Sequence, residues 1–191
     1  IYFDFNHDSN AQNEAGLLDG GEAWYRKQFI IDQTLANKEF IIRFGGVYMD
    51  SNLYVNGKFV GNMPNGYSPF SYKITNYLFT AGRINTIAMK VVNEQPSSRW
   101  YSGSGIYRDV HLDIVDAVHF IKEDIVINYT DASDHFITNV KSRLNKTVEG
   151  LNLQLTISKK NGEVLHTSSH EWHKECEVTH NTPQLWSIEQ P

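Results

Sequence analysis

The chain has 191 residues, 40% hydrophobic and 20% charged, with a formal net charge of −5, an ordinary composition for one large or two modest globular domains. Acidic and basic residues are interspersed, and no basic stripe exists to follow a phosphate backbone, which argues against nucleic acid as a partner. Apolar runs such as Phe40-Ile41-Ile42 fall far short of the ~20 residues a helix needs to cross a bilayer, and the single cysteine, Cys176, excludes an internal disulfide framework.

The start, Ile1-Tyr2-Phe3-Asp4, carries neither Met nor a leader pattern and reads as a cut through something longer. Period-two alternation then predicts strands over 24–31 and 39–45, with no amphipathic helix between them. Leu53-Tyr54-Val55 and Lys58-Phe59-Val60 flank Asn56-Gly57, the dipeptide that accepts the positive φ of a tight hairpin. Strands follow over 85–92 and 106–115, separated by a polar loop carrying Arg99, Trp100 and Tyr101.

Near Asp116 the texture changes from glycine- and aromatic-rich to a plainer aliphatic–polar alternation, so 1–115 and 116–191 are read as two sandwiches. In the second, strands are predicted over 123–129 and 136–144. Leu151, Leu153, Leu155 and Ile157 share one face of a further strand, which turns at Asn161-Gly162 and returns through 163–166. Short strands at this spacing indicate an all-β fold. A second domain of at most 76 residues is short for a closed sandwich of ~100 residues, so truncation after Pro183–Ser187 is expected. Open sheet edges would then invite self-association.

Few residues suggest chemistry. General acid–base or nucleophilic work by carboxyl groups needs a pair held close together, and the acids here (Asp4 and Asp8, Asp19 and Glu22, Asp131 and Asp134) read as solvated loop groups. His170 and His173 stand three apart, which on a strand throws them to opposite faces and on a helix is one short of the zinc-protease spacing. An exposed polar strand or loop accounts for them better than a metal site, and no cofactor ligand set is identifiable. Ser102-Gly103-Ser104-Gly105 lacks both the first glycine of a nucleophile elbow and the third of a dinucleotide fingerprint. The loop around Trp100 is the one cluster that stands out, as a ligand site or as an interdomain contact. Both readings stand.

The run Arg99-Trp-Tyr-Ser-Gly-Ser-Gly-Ile-Tyr-Arg-Asp109 resembles a signature of the sugar-binding domain of family 2 glycoside hydrolases. Four further blocks follow the same family order: Gly20 to Phe29, Phe44 to Ser51, Val55-Asn56-Gly57 with Gly61, and Gly66 to Leu78. The resemblance is nearest to bacterial β-galactosidases. It implies a jelly-roll β-sandwich over 1–115 and an immunoglobulin-like β-sandwich over 116–191, both incomplete. It also implies a catalytic TIM barrel beyond this chain that holds both glutamates of the reaction. On that reading the partners are a β-galactoside and the chain's own barrel, in a bacterial enzyme of the cytoplasm or cell surface. Arg99, Trp100 and Tyr101, with Asp19 and Glu22 from the neighbouring strand end, are candidates for the rim of the sugar pocket, with packing on the barrel as their alternative role. β-Glucuronidase and β-mannosidase are alternative parents, and a stand-alone carbohydrate-binding module is a rival of another class.

Overall fold

A computed structural model describes residues 7–9, 19–80, 82–96, 103–131, 135–171, 176–180 and 187–188. The chain divides into two compact units, Ile1–Ala117 and Val118–Pro191. Both are all-β, with only single turns of 3-10 helix among the described residues.

In the first unit, β1 (Gly21–Ile30), β4 (Ser51–Val55), β5 (Lys58–Met63) and β7 (Ile84–Asn93) form a four-stranded sheet of order β1-β7-β4-β5. A second sheet, β6-β2-β9, is built from β2 (Glu39–Phe44), β6 (Phe70–Lys73) and β9 (Val110–Val115). Every pairing is antiparallel. The alternation read from the sequence sets the inner faces: Phe40, Ile42 and Phe44 of β2 share one buried cluster with Leu53 and Val55 of β4 and Met89 and Val91 of β7. Leu53, Val55 and Ile74 are fully buried, and the Phe44 and Phe70 rings stack at 5.0 Å. At ~25 cal/mol per Å² of apolar surface withdrawn from water, such residues supply the main drive to close the sandwich.

The β4–β5 turn takes the predicted form, with Asn56 at φ 51° and Gly57 at φ 79°. Elsewhere long-range pairing overrides local pattern. The strand expected over 106–115 is two: β8 (Gly105–Ile106) pairs with β3 (Val47–Tyr48), and β9 pairs with β2. Both segments turn the same corner. The Gly45 N–H bonds the Asp109 carbonyl at 3.0 Å, and the Tyr107 hydroxyl donates to the Gly66 carbonyl at 2.9 Å. A side chain on Gly46 would collide with the Tyr107 ring, so the glycine pair is what lets the corner close. β6 also goes beyond what alternation alone indicated, because a four-residue strand shows too few repeats to be seen.

The second unit pairs β10 (Val126–Asp131), β11 (Phe136–Lys141) and β14 (Cys176–His180) in one sheet, and β12 (Asn152–Ser158) with β13 (Val164–Glu171) in another. The β10 strand begins later than expected because a one-turn 3-10 helix occupies Lys122–Asp124. In the β12–β13 turn only Gly162 takes a positive φ, 91°; Asn161 does not, and the Gly162 N–H bonds the Lys159 carbonyl at 2.9 Å. Leu153, Leu155 and Ile157 pair with His170, Ser168 and His166 on the half-buried face. His170 lies on the half-buried face of the otherwise mostly exposed β13, its Nε2 2.7 Å from the Ser168 hydroxyl. Trp172 and His173 lie outside the described residues. Cys176 is buried, and burial pushes its thiol up.

Candidate functional site

Two segments 75 residues apart meet where β1 begins and β7 ends. Gly21 stands opposite Asn93 in the ladder, and the Gly20 N–H donates to Gln95 Oε1 at 2.6 Å. A Cβ on Gly20 would run into the Asn93 carbonyl and the Gln95 side chain, so only glycine permits the approach. The buried Asn93 amide in turn donates to the Ser104 hydroxyl at 2.7 Å. Gly105 follows at φ 95°, directly beneath the Tyr25 hydroxyl. Between them lies a cavity of about 260 Å³ lined by Gly21, Tyr25, Asn93, Ser104 and Gly105 among others. The segment from 97 to 102, with Arg99, Trp100 and Tyr101, lies outside the described residues. Its two described flanks, Gln95–Pro96 and Gly103–Gly105, are anchored at this end of the sandwich.

Asp19 and Glu22 do not converge on one point. The Asp19 carboxylate accepts a hydrogen bond from the Ser9 hydroxyl. Glu22, on a strand rather than in a loop, alternates away from the cavity-lining Gly21 and Ala23. Its carboxylate pairs with Lys90 Nζ at 2.6 Å and accepts the Trp24 indole N–H at 2.7 Å. Lys90, and after it Trp24, hold the Glu22 carboxyl below the usual carboxylate range, and Glu22 pushes the Lys90 ammonium up. Sequence reading missed Lys90 and Tyr25, yet the period of two along β1 carries the signal: even positions share the face of Glu22 and Trp24, odd ones the cavity.

This pair has a defined pH window. A depressed carboxyl adds stability that is complete above its unfolded value, ~4.3, and lost as pH falls through the folded one. A raised ammonium adds stability that is complete below ~10.4 and lost as pH rises through its folded value. Lys90→Met is expected to move the Glu22 titration, followed by NMR of the side-chain carboxyl carbon, up toward the ordinary range. A midpoint that stays in place would remove Lys90 as the cause.

A larger cleft of about 550 Å³ opens along β1 and β9, lined by Phe29, Ile42, Phe44, Met89 and Leu112 with Arg26, Lys27 and His111. No carboxylate among the described residues lines it. Among the described residues no group of three or more His, Cys, Asp or Glu could hold a metal ion, and no helix is long and apolar enough to cross a membrane.

Comparison with known proteins places these features. The family description "Glycosyl hydrolases family 2, sugar binding domain" matches residues 6–115. The β-galactosidase BoGH2A of Bacteroides ovatus is 36% identical across 98% of this chain and 24% of its own length. A putative β-glucuronidase of Formosa agariphila is 35% identical across 92% of this chain and 17% of its own. The crystal structure of a family 2 member from Bacteroides cellulosilyticus superposes with a TM-score of 0.87 at 34% identity, covering all of this chain and 26% of that one. The chain thus spans a quarter or less of these curated relatives.

Proposed function

The chain belongs to glycosyl hydrolase family 2, and from that premise we propose that it is the non-catalytic front portion of a retaining β-galactosidase. The observation that carries this reading is the 36% identity to a β-galactosidase, which runs through 98% of the chain. In this reading residues 1–115 are a jelly-roll domain and 116–191 an immunoglobulin-like domain. The two carboxyl groups that a retaining mechanism sets ~5 Å apart come from a barrel elsewhere in the parent protein. The chain's own part is positional. Gly20, Asn93, Gln95 and Ser104 hold the two described flanks of the segment bearing Arg99, Trp100 and Tyr101, whose proposed role is at the rim of the sugar pocket. Asp19 remains in this rim set. Glu22, tied to Lys90 and Trp24 on the outer face of the sheet, leaves it.

A second reading, the same portion of a β-glucuronidase, is favoured by the 35% identity to a putative β-glucuronidase. Aryl glycoside hydrolysis by the complete gene product separates the two. The expected result is hydrolysis of the β-galactoside with retained anomeric configuration, faster than the β-glucuronide by at least about tenfold, ~1.4 kcal/mol in the barrier. Preference for the glucuronide would transfer the assignment to the second reading. Turnover by the purified 191-residue chain would overturn the non-catalytic role itself.

A further inference from the structure

The outer face of the four-stranded sheet should carry polar side chains, since its other face is the core. It carries a row of three aromatic rings instead. Trp24 of β1 is 41% exposed and Phe59 of β5 53% exposed. Tyr54 of β4, half-buried, stands between them with its centroid 5.6 Å from each ring, tilted 36° to Trp24 and edge-on at 63° to Phe59, so the row is twisted rather than flat. In the ladder Tyr54 and Arg26 both stand opposite Ala88 of β7, whose methyl leaves the face open beside the Tyr54 ring. The Arg26 guanidinium lies 5.3 Å from the Trp24 ring centre.

Hydrogen-bonding groups edge this row, and their positions are already set. The Asn62 amide donates to Asp50 Oδ1 at 2.8 Å and to Asn52 Oδ1 at 3.2 Å. Glu22 and Lys90 close their ion pair beside Trp24. The charges on this face, Glu22 and Asp50 against Lys90 and Arg26, cancel.

We propose that this face is a glycan-binding platform that takes a neutral β-linked oligosaccharide chain along Trp24, Tyr54 and Phe59. The apolar C–H faces of pyranose rings match exposed aromatic faces, and equatorial hydroxyls meet the amides and carboxylates at the ring edges. Charge balance selects against polyanions and anionic membrane surfaces, which would need a net positive patch. A protein partner fits less well: a dry interface would bury Asn52, Asn62 and the Glu22–Lys90 pair without new partners, and that desolvation is unfavourable. Sugar hydroxyls supply those partners. The proposal holds whether the parent enzyme cleaves galactosides or glucuronides.

The test titrates the chain with β-1,4-galactotetraose and with cellotetraose, following heat and intrinsic fluorescence. At least one tetraose is expected to bind, with a dissociation constant on the order of 1 mM. Trp24→Ala and Tyr54→Ala should each weaken it roughly tenfold or more. Trp24→Phe, which keeps a ring, should retain most of the affinity, and Phe79→Ala, which removes an exposed ring elsewhere in the unit, should leave it unchanged. Thermal melts of each variant separate lost binding from lost folding, and Trp24→Phe carries the test if an alanine variant unfolds. Failure of both tetraoses to bind the unaltered chain overturns the proposal. So does binding that Trp24→Ala and Tyr54→Ala leave intact, or a dimer formed through this face in place of glycan binding.

Discussion

Gly105→Ala is expected to destabilise the first unit by ~3 kcal/mol and to lower its thermal midpoint by roughly 10 °C. Two effects add. Gly105 sits at φ 95°, a left-handed conformation that costs an L-residue roughly 1–2 kcal/mol. A Cβ built there would also fall inside the Tyr25 hydroxyl oxygen, while the next atom of that ring, Cζ, is 3.0 Å away. The methyl must therefore displace Tyr25, whose ring packs against the core cluster, and overpacking of this kind costs ~1–3 kcal/mol. Because the closest collision is with the hydroxyl and Cζ remains 3.0 Å away, Tyr25→Phe should recover most of the second part of the loss but not the first. A double-mutant cycle read by calorimetry should give a coupling of ~1–2 kcal/mol. Strict additivity would mean that Tyr25 moves aside freely, leaving backbone strain as the whole cost.

Asn85→Leu is the second large loss, about 3–5 kcal/mol by urea unfolding, with the slope unchanged. Asn85 has no exposed surface, and its amide serves as the junction of three segments. Oδ1 accepts from the Phe79 N–H at 2.7 Å and from Asn56 Nδ2 at 2.8 Å, while Nδ2 donates to the Phe79 carbonyl at 2.8 Å. Asn56 extends the network, donating to the Tyr77 carbonyl and accepting the Thr86 N–H. Leucine keeps the branch point of the asparagine side chain but is bulkier, so some overpacking adds to the loss. What is lost is the set of partners for buried main-chain groups, and stranding such groups costs more than the bonds themselves contribute. Asn85→Asp keeps the acceptor but sets a buried carboxyl against the Phe79 carbonyl oxygen, so its loss of stability is expected to grow as pH rises and the carboxyl ionises. A leucine variant within about 1 kcal/mol of the native chain would show that water enters to satisfy Phe79 and Asn56.

Most of the strands were legible because their signals are local. Alternation in 151–158 and 53–55, and the turn dipeptides Asn56-Gly57 and Asn161-Gly162, act within a few residues, and the structure forms both hairpins. The family was equally legible, since its ordered blocks fall within the residues matched by the sugar-binding description. Where reading fell short, the cause was a distant partner. No pattern inside 106–115 signals the break at Tyr107–Asp109; it is imposed by Gly45 and Gly46 and by Gly66. Glu22 looked like a loop acid because the start of β1 is set by pairing with β7 rather than by its own composition.

By itself, the sequence determined what neighbouring residues control: an all-β chain, its hairpins, its inner and outer faces and its family blocks. These follow from φ preferences and a period of two, which are properties of a few consecutive residues. Only the tertiary structure decided which ends meet. It brought Gly20 to Gln95, put Gly105 under Tyr25, and lined up Trp24, Tyr54 and Phe59 from three strands across one face. Sheet order and register depend on burial summed over the whole sandwich, and that sum is not written in any one segment.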